Sequence, residues 1–134
     1  MSIYAGETLT AAVLDNFTPV VVSATVTPAS SFALTSYNGY KSGGNTTITV
    51  ALAYSGSTVT ASSTGHISGG LNVCTLPSGL YPPLQLYGAY VISGTSAGTL
   101  TISTAGLVTL QTLYPSQSLA SGQTVYFTIT IPTG

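Results

Sequence analysis

The chain has 134 residues and carries one lysine, two acidic residues and one histidine, for a net charge of −1. Binding to nucleic acid or to an anionic membrane surface needs several basic side chains, so a single lysine excludes both as electrostatic partners. No run of the sequence approaches the ~20 apolar residues of a membrane-spanning helix, although hydrophobic residues make up 44% of the chain and can build one core.

Residues 1–19 differ from the rest of the chain because they carry its only convincing helical pattern. The pattern over 10–16 predicts a helix of about two turns, with a threonine as its cap, and Pro19 stops it because proline disfavours helix in the preceding residue. A helix this short is not stable alone, so we expect 1–19 to be a docking segment. The apolar residues expected to make the docking contacts are Leu9, Val13, Leu14 and Phe17.

From residue 20 onward apolar residues alternate with polar ones, which is typical of half-buried β-strands. The turn at 55–57 is expected to join two of these strands in a hairpin. The alternation predicts an all-β fold, a single jelly-roll-like β-sandwich over 20–134 with a short N-terminal helix before it. The segments predicted as strands are 20–27, 46–54, 58–62, 71–76, 86–93, 99–103, 107–110 and 124–131.

The segment 86–93 departs from simple alternation because both of its faces are apolar. A strand of this kind is expected to lie in the centre of a sheet or between two layers. Its two faces consist of Leu86, Tyr90 and Ile92 on one side and Tyr87, Ala89 and Val91 on the other.

Three stretches of the chain resemble patterns of a known protein family. The runs LPSGLYPP (76–83) and LTISTAGLV (100–108) resemble the C-terminal head domains of bacteriophage tail and baseplate proteins, in which a final strand closes the fold. The opening AGETLTAAVLDNFTP (5–19) resembles the start of minor tail proteins of phages that infect actinobacteria. The first run departs from the family pattern, since Leu80-Tyr81 replaces the usual Tyr-Arg, and any role of that arginine is absent.

The resemblance implies a structural protein of a virion, located on the surface of its tail or capsid. Its implied partners are itself, as a homotrimer, other virion proteins and a host-surface saccharide. The reading it favours is an exposed β-sandwich at the tail tip or fibre head. A capsid decoration or cement protein is the alternative, and a free carbohydrate-binding module is a further one.

No constellation of reactive side chains points to an enzyme. A Ser-His-Asp triad would need His66 and Asp15, and Asp15 lies in the N-terminal segment, apart from the strands that carry most of the serines. Glu7 and Asp15 are better explained as residues at the ends of the short helix than as a glycosidase pair. The sequence therefore predicts no catalytic residue, no metal ligand and no cofactor, and Lys41 is interpreted as a solvated loop lysine.

The nine tyrosines offer a ligand hypothesis. Tyr37 and Tyr40 flank Asn38-Gly39, a dipeptide typical of turns, and Tyr114 precedes a proline in another expected loop. A tyrosine ring can stack on a sugar while its hydroxyl stays in water. We therefore expect Tyr37, Asn38, Tyr40 and Tyr114 to be candidates for saccharide binding, against the alternative that they pack on neighbouring subunits.

Overall fold

The structure is a computed structural model that describes residues 20–93 and 96–132. This part of the chain confirms the predicted all-β, sandwich-like fold, and none of its helices is long and apolar enough to cross a membrane. The predicted helix at 10–16 and the docking residues Leu9, Val13, Leu14 and Phe17 lie outside the described residues. The strands are β1 Val20–Val21, β2 Thr27–Pro28, β3 Phe32–Ser42, β4 Asn45–Tyr54, β5 Val59–Thr60, β6 His66–Thr75, β7 Leu86–Ile92, β8 Ser96–Ile102, β9 Leu107–Thr112, β10 Ser118–Leu119 and β11 Thr124–Pro132, with a 3-10 helix at Ser78–Leu80.

Nine of these strands form one antiparallel sheet in the order β1-β3-β4-β11-β7-β8-β9-β6-β2, and β5 pairs with β10 beside it. The two edge strands belong to one stretch of chain, residues 20–28, which we call the closing segment. Val20 and Val21 pair with β3 at one edge of the sheet, and Thr27 and Pro28 pair with β6 at the other. Because one short segment joins both edges, the sheet curls back on itself.

The curled sheet has two halves whose buried faces share one hydrophobic core. Period-two alternation produces this core, since every second residue of a strand points to the same face. The break between the halves lies at β7 and β11, which pair over only three positions, Tyr90 to Ile92 against Val125 to Phe127. The largest fully buried side chains are Tyr90, Ile48, Leu52, Leu76, Ile92, Leu100, Ile102, Leu110, Leu119 and Ile131.

The hairpin of β3 and β4 corrects the prediction of a loop around Asn38-Gly39. Both residues lie inside β3, and the chain turns instead at Gly43-Gly44, between the paired residues Ser42 and Asn45. Gly43 and Gly44 have φ angles of 58° and 84°. A two-residue hairpin turn needs positive φ at both positions, which glycine adopts without strain.

Two further strand predictions were wrong, each for a topological reason. The segment 20–27 is not one strand, because it leaves the ladder at 22–26 to pass from one edge of the sheet to the other. The segment 58–62 does not form a hairpin with β4, because β3 and β11 already occupy both sides of β4. Val59 and Thr60 pair with Leu119 and Ser118 instead.

Both ends of the described chain lie at the same end of the sandwich. Val20 pairs with Lys41 and Pro132 pairs with Asn45, next to the Gly43-Gly44 turn. We call this end the entry pole. The opposite end, the loop pole, carries Tyr54, whose backbone N–H donates to Gln123.

Candidate functional site

The outward-facing residues of β4, β11, β7 and β8 form a surface without ionisable carboxylates, amines or imidazoles. Strand alternation sends every second residue outward, and at these positions the sequence supplies hydroxyls, small residues and aromatic rings. Desolvating such a surface costs less than desolvating a charged one. The outward positions that form this surface are 47, 49 and 53 in β4, 126, 128 and 130 in β11, 87, 89 and 91 in β7, and 97, 99 and 101 in β8, whereas Ala51 is buried.

The most apolar part of this surface is a stripe along β7 and β11 formed by Tyr87, Val91 and Tyr126, which we call the aromatic stripe. Tyr87 is 76% exposed, Val91 51% and Tyr126 44%. Val91 and Tyr126 are direct cross-strand partners, so their side chains project from the same face. The prediction that 86–93 lies in the centre of a sheet or between two layers is confirmed in its first form, because β7 is the fifth of nine strands. Its outer face is open in the single chain.

A groove of about 330 Å³ opens within the aromatic stripe. It lies where β7 and β11 stop pairing, and it is lined by residues 89–91 and 126–128 together with Thr49. Most of its wall is apolar. A dry cavity of roughly 150 Å³ is enough to hold a benzene ring, so the groove can accept an aromatic side chain.

Two pairs of threonine hydroxyls lie on the outer surface of β4 and β11, and the pair formed by Thr49 and Thr128 lines the groove. The Thr49 and Thr128 hydroxyl oxygens are 3.1 Å apart, and those of Thr47 and Thr130 are 3.0 Å apart. In each pair one hydroxyl donates to the other, which satisfies a donor and leaves acceptor lone pairs open to a partner. The groove thus has an apolar floor and an uncharged polar border.

The floor of the groove is held from below by a buried hydrogen bond. Tyr90 is 1% exposed, and its hydroxyl donates to the carbonyl oxygen of Thr112 at 2.6 Å. Burial raises the pKa of the Tyr90 phenol well above its ordinary value of 10.0. Gly98 makes this contact possible, because a Cβ there would lie 2.0 Å from the same carbonyl oxygen.

The structure does not bring the four predicted saccharide-binding residues together. Tyr37 points to the inner side of β3, where burial raises the pKa of its phenol, and its hydroxyl has no hydrogen-bond partner. Asn38 and Tyr40 are exposed, and Tyr40 pairs with Thr47 near the entry pole. Tyr114 is 67% exposed at the loop pole, where its N–H donates to Ala97. Tyr37 and Tyr40 are three residues apart in one strand, so their side chains lie on opposite faces of the sheet.

A second cavity, of about 210 Å³, lies at the entry pole between the closing segment and the 3-10 helix. Val22, Pro77 and Leu80 give it apolar walls, and Lys41 and Thr46 supply polar groups. Lys41 is exposed, in agreement with its interpretation as a solvated lysine. A single lysine at the open rim of this cavity does not make the cavity selective for a particular ligand.

The remaining reactive side chains are dispersed. Within residues 20–93 and 96–132 no three His, Cys, Asp or Glu residues come close enough to hold a metal ion. His66 begins β6 with an exposed side chain, and its backbone N–H donates to the Ser62 hydroxyl at 3.1 Å. Cys74 is buried, which raises the pKa of its thiol to about 12. Glu7 and Asp15 lie outside the described residues.

Comparison with known proteins adds no relative: the chain matches no protein-family model and no curated protein. The site above therefore depends on the geometry of this chain alone. The aromatic stripe was not predicted as an exposed surface from the sequence, although the apolar outer positions of 86–93 indicated it.

Proposed function

We propose that this protein is a non-enzymatic structural component of a tailed-phage virion, a homotrimeric β-sandwich placed at the tail tip or fibre head. The observation that carries the proposal is the uncharged outer surface with its exposed aromatic stripe. Exposed apolar patches rimmed by polar residues mark interaction sites. The phage-like runs at 5–19, 76–83 and 100–108 supply the virion setting.

Assembly in this proposal is driven by burial of apolar and hydroxyl-bearing surface. Interface cores are enriched in tyrosine and depleted in lysine, glutamate and aspartate, and the stripe has that composition. Specificity then comes from shape and hydroxyl hydrogen bonds, because ion pairs contribute little where there are almost no ions.

The location of both ends of the described chain at one pole favours a head domain that is attached at that end. Val20 and Pro132 both lie at the entry pole, so chain on either side of the described residues leaves from that end. The loop pole, which carries Tyr114, is then free to face outward. A saccharide site made jointly by Tyr37, Asn38, Tyr40 and Tyr114 is not part of the proposal, since these residues do not share a surface.

Quantifying this chain against the major capsid protein in purified phage particles tests the proposal. A tail position predicts a few trimers per particle and antibody labelling at the tail. Hundreds of copies per particle would overturn the tail placement and favour a capsid decoration protein. Absence of the chain from the particles would overturn the virion role altogether.

A further inference from the structure

We infer that the aromatic stripe is the surface through which copies of this chain meet, with Tyr87 of one copy entering the groove of the next. The inference rests on the proposed function, because it assigns a surface to the self-association that the function requires. It commits to a second copy of this chain as the occupant of the groove.

The first argument is charge. Two copies of one surface can pack together only if their charges do not repel each other. Like charges that face each other across an interface cost several kcal/mol. The described residues that carry a basic or imidazole side chain, Lys41 and His66, belong to β3 and β6 and lie outside the outer surface of β4, β11, β7 and β8. A copy of this surface can therefore face another copy without electrostatic cost.

The second argument is shape. The groove begins at Ala89, two residues after Tyr87 on the same face of β7 and about 7 Å along the strand. The Tyr87 hydroxyl instead accepts a hydrogen bond of 3.0 Å from the side chain of Gln85, which precedes it. The ring is thus exposed as a projection while its own groove stays open. A projection and a socket at different places on one surface allow a head-to-tail contact, which closes into a ring when the rotation between neighbouring copies permits it.

The third argument is composition and area. Energetically dominant interface residues are typically tyrosine, tryptophan and arginine, packed in a pocket and ringed by near-neutral contacts. Tyr87 and Tyr126, at 76% and 44% exposure, together offer roughly 240 Å² if a tyrosine buries about 200 Å². That is close to a third of the ~800 Å² that one partner contributes to a standard interface. The threonines and alanines around the stripe can supply the remainder.

A matched pair of substitutions tests the inference by sedimentation equilibrium. Tyr87→Ser removes the projection, whereas Tyr114→Ser removes a tyrosine of similar exposure at the loop pole, 67% against 76%. We expect Tyr87→Ser to weaken self-association by about 10- to 100-fold, as loss of a dominant interface residue does. Tyr114→Ser is expected to leave it unchanged, and circular dichroism should show both variants folded.

A crosslinking experiment gives a positive signal. Cys74, the single cysteine of the chain, is 1% exposed, so a new cysteine on the stripe reports alone. A mixture of Tyr87→Cys and Val91→Cys chains is expected to form a band at twice the chain mass under mild oxidation, because residue 87 of one copy meets the groove of the next, whereas a mixture of Tyr114→Cys and Val91→Cys chains is not.

The outcomes separate this inference from the proposed function. If the wild type self-associates and Tyr87→Ser associates equally well, another surface holds the copies together, and the virion role stands. A wild type that stays monomeric overturns the inference, and binding of a saccharide to the stripe of that monomer would assign the surface to a glycan. The copy number in particles decides the virion role independently of both.

Discussion

Replacing Tyr90 by phenylalanine removes a single buried hydroxyl and keeps the ring that packs in the core. The lost hydrogen bond, 2.6 Å to the Thr112 carbonyl oxygen, is made at a position that is 1% exposed. Leaving a buried acceptor without its donor costs about 1–3 kcal/mol. We therefore expect Tyr90→Phe to lower the free energy of unfolding at pH 7 by about 1.5 kcal/mol.

At high pH Tyr90→Phe is expected to become as stable as the wild type. Burial raises the pKa of Tyr90 in the folded state above the ordinary 10.0, so its stabilising contribution is complete below that pH and is lost as pH rises. Each pH unit above 10.0 then removes up to about 1.4 kcal/mol from the wild type. Tyr90→Phe has no phenol proton to lose, so this titration does not destabilise it. The unfolding free energies of the wild type and the variant should therefore converge near pH 11, about one unit above the ordinary tyrosine pKa.

Urea unfolding followed by far-ultraviolet circular dichroism, at one protein concentration between pH 7 and 11, measures this difference. The matched control is Tyr114→Phe, whose ring is 67% exposed and for which no loss of stability is expected at pH 7. A gap between wild type and Tyr90→Phe that stays constant from pH 7 to 11 would refute the assignment of a raised pKa to this phenol. No gap at pH 7 would refute the hydrogen-bond contribution.

Three other results follow from the structure. Gly98→Ala should lower the free energy of unfolding by about 3 kcal/mol or more, because its Cβ would lie 2.0 Å from the Thr112 carbonyl oxygen. The control Gly79→Ala, whose Cβ would have nothing within 4 Å, should change the free energy of unfolding by less than about 0.5 kcal/mol. Equal effects of the two substitutions in a thermal melt would contradict this packing. Cys74 should react with Ellman's reagent only after denaturation, because burial raises its pKa to about 12; rapid reaction in native buffer would show that the site opens. Self-association should change less than about threefold between low and high salt, since there is little charge to screen; a steep salt dependence in sedimentation would point to ionic contacts.

The strands with clean alternation were predictable from sequence because their pattern is local. In β4 the alternation over 46–54 puts Ile48, Val50, Leu52 and Tyr54 on one face, and all four are buried. In β11 the residues from Val125 to Ile131 alternate as predicted. Both strands lie in the middle of the sheet, where one face must be apolar and the other is open.

The strand β3 was missed because its sequence carries little of that pattern. Of its eleven residues only Phe32 and Gly39 are buried. It lies next to the edge of the sheet, where the closing segment passes over it, and a Cβ on Gly39 would meet Val22 at 3.1 Å. A side chain at residue 39 would therefore crowd the closing segment, a tertiary contact that no local pattern reveals.

The aromatic stripe shows a different limit of sequence reasoning. The apolar outer residues of 86–93 indicate that both faces of β7 are to be covered. Alternation does not tell whether the cover comes from the same chain or from another copy. Only the sheet order, which leaves Tyr87 and Val91 exposed in the single chain, separates the two cases.

The position of β11 has a consequence for how the protein is made. This last strand pairs with β4 on one side and β7 on the other, and its Thr128 meets Thr49 across 79 residues of sequence. Contacts this distant form slowly, and on a ribosome they wait until residues 124–132 have emerged. A nascent or truncated chain without β11 would hold two unjoined half-sheets with open edges, which pair readily with other chains.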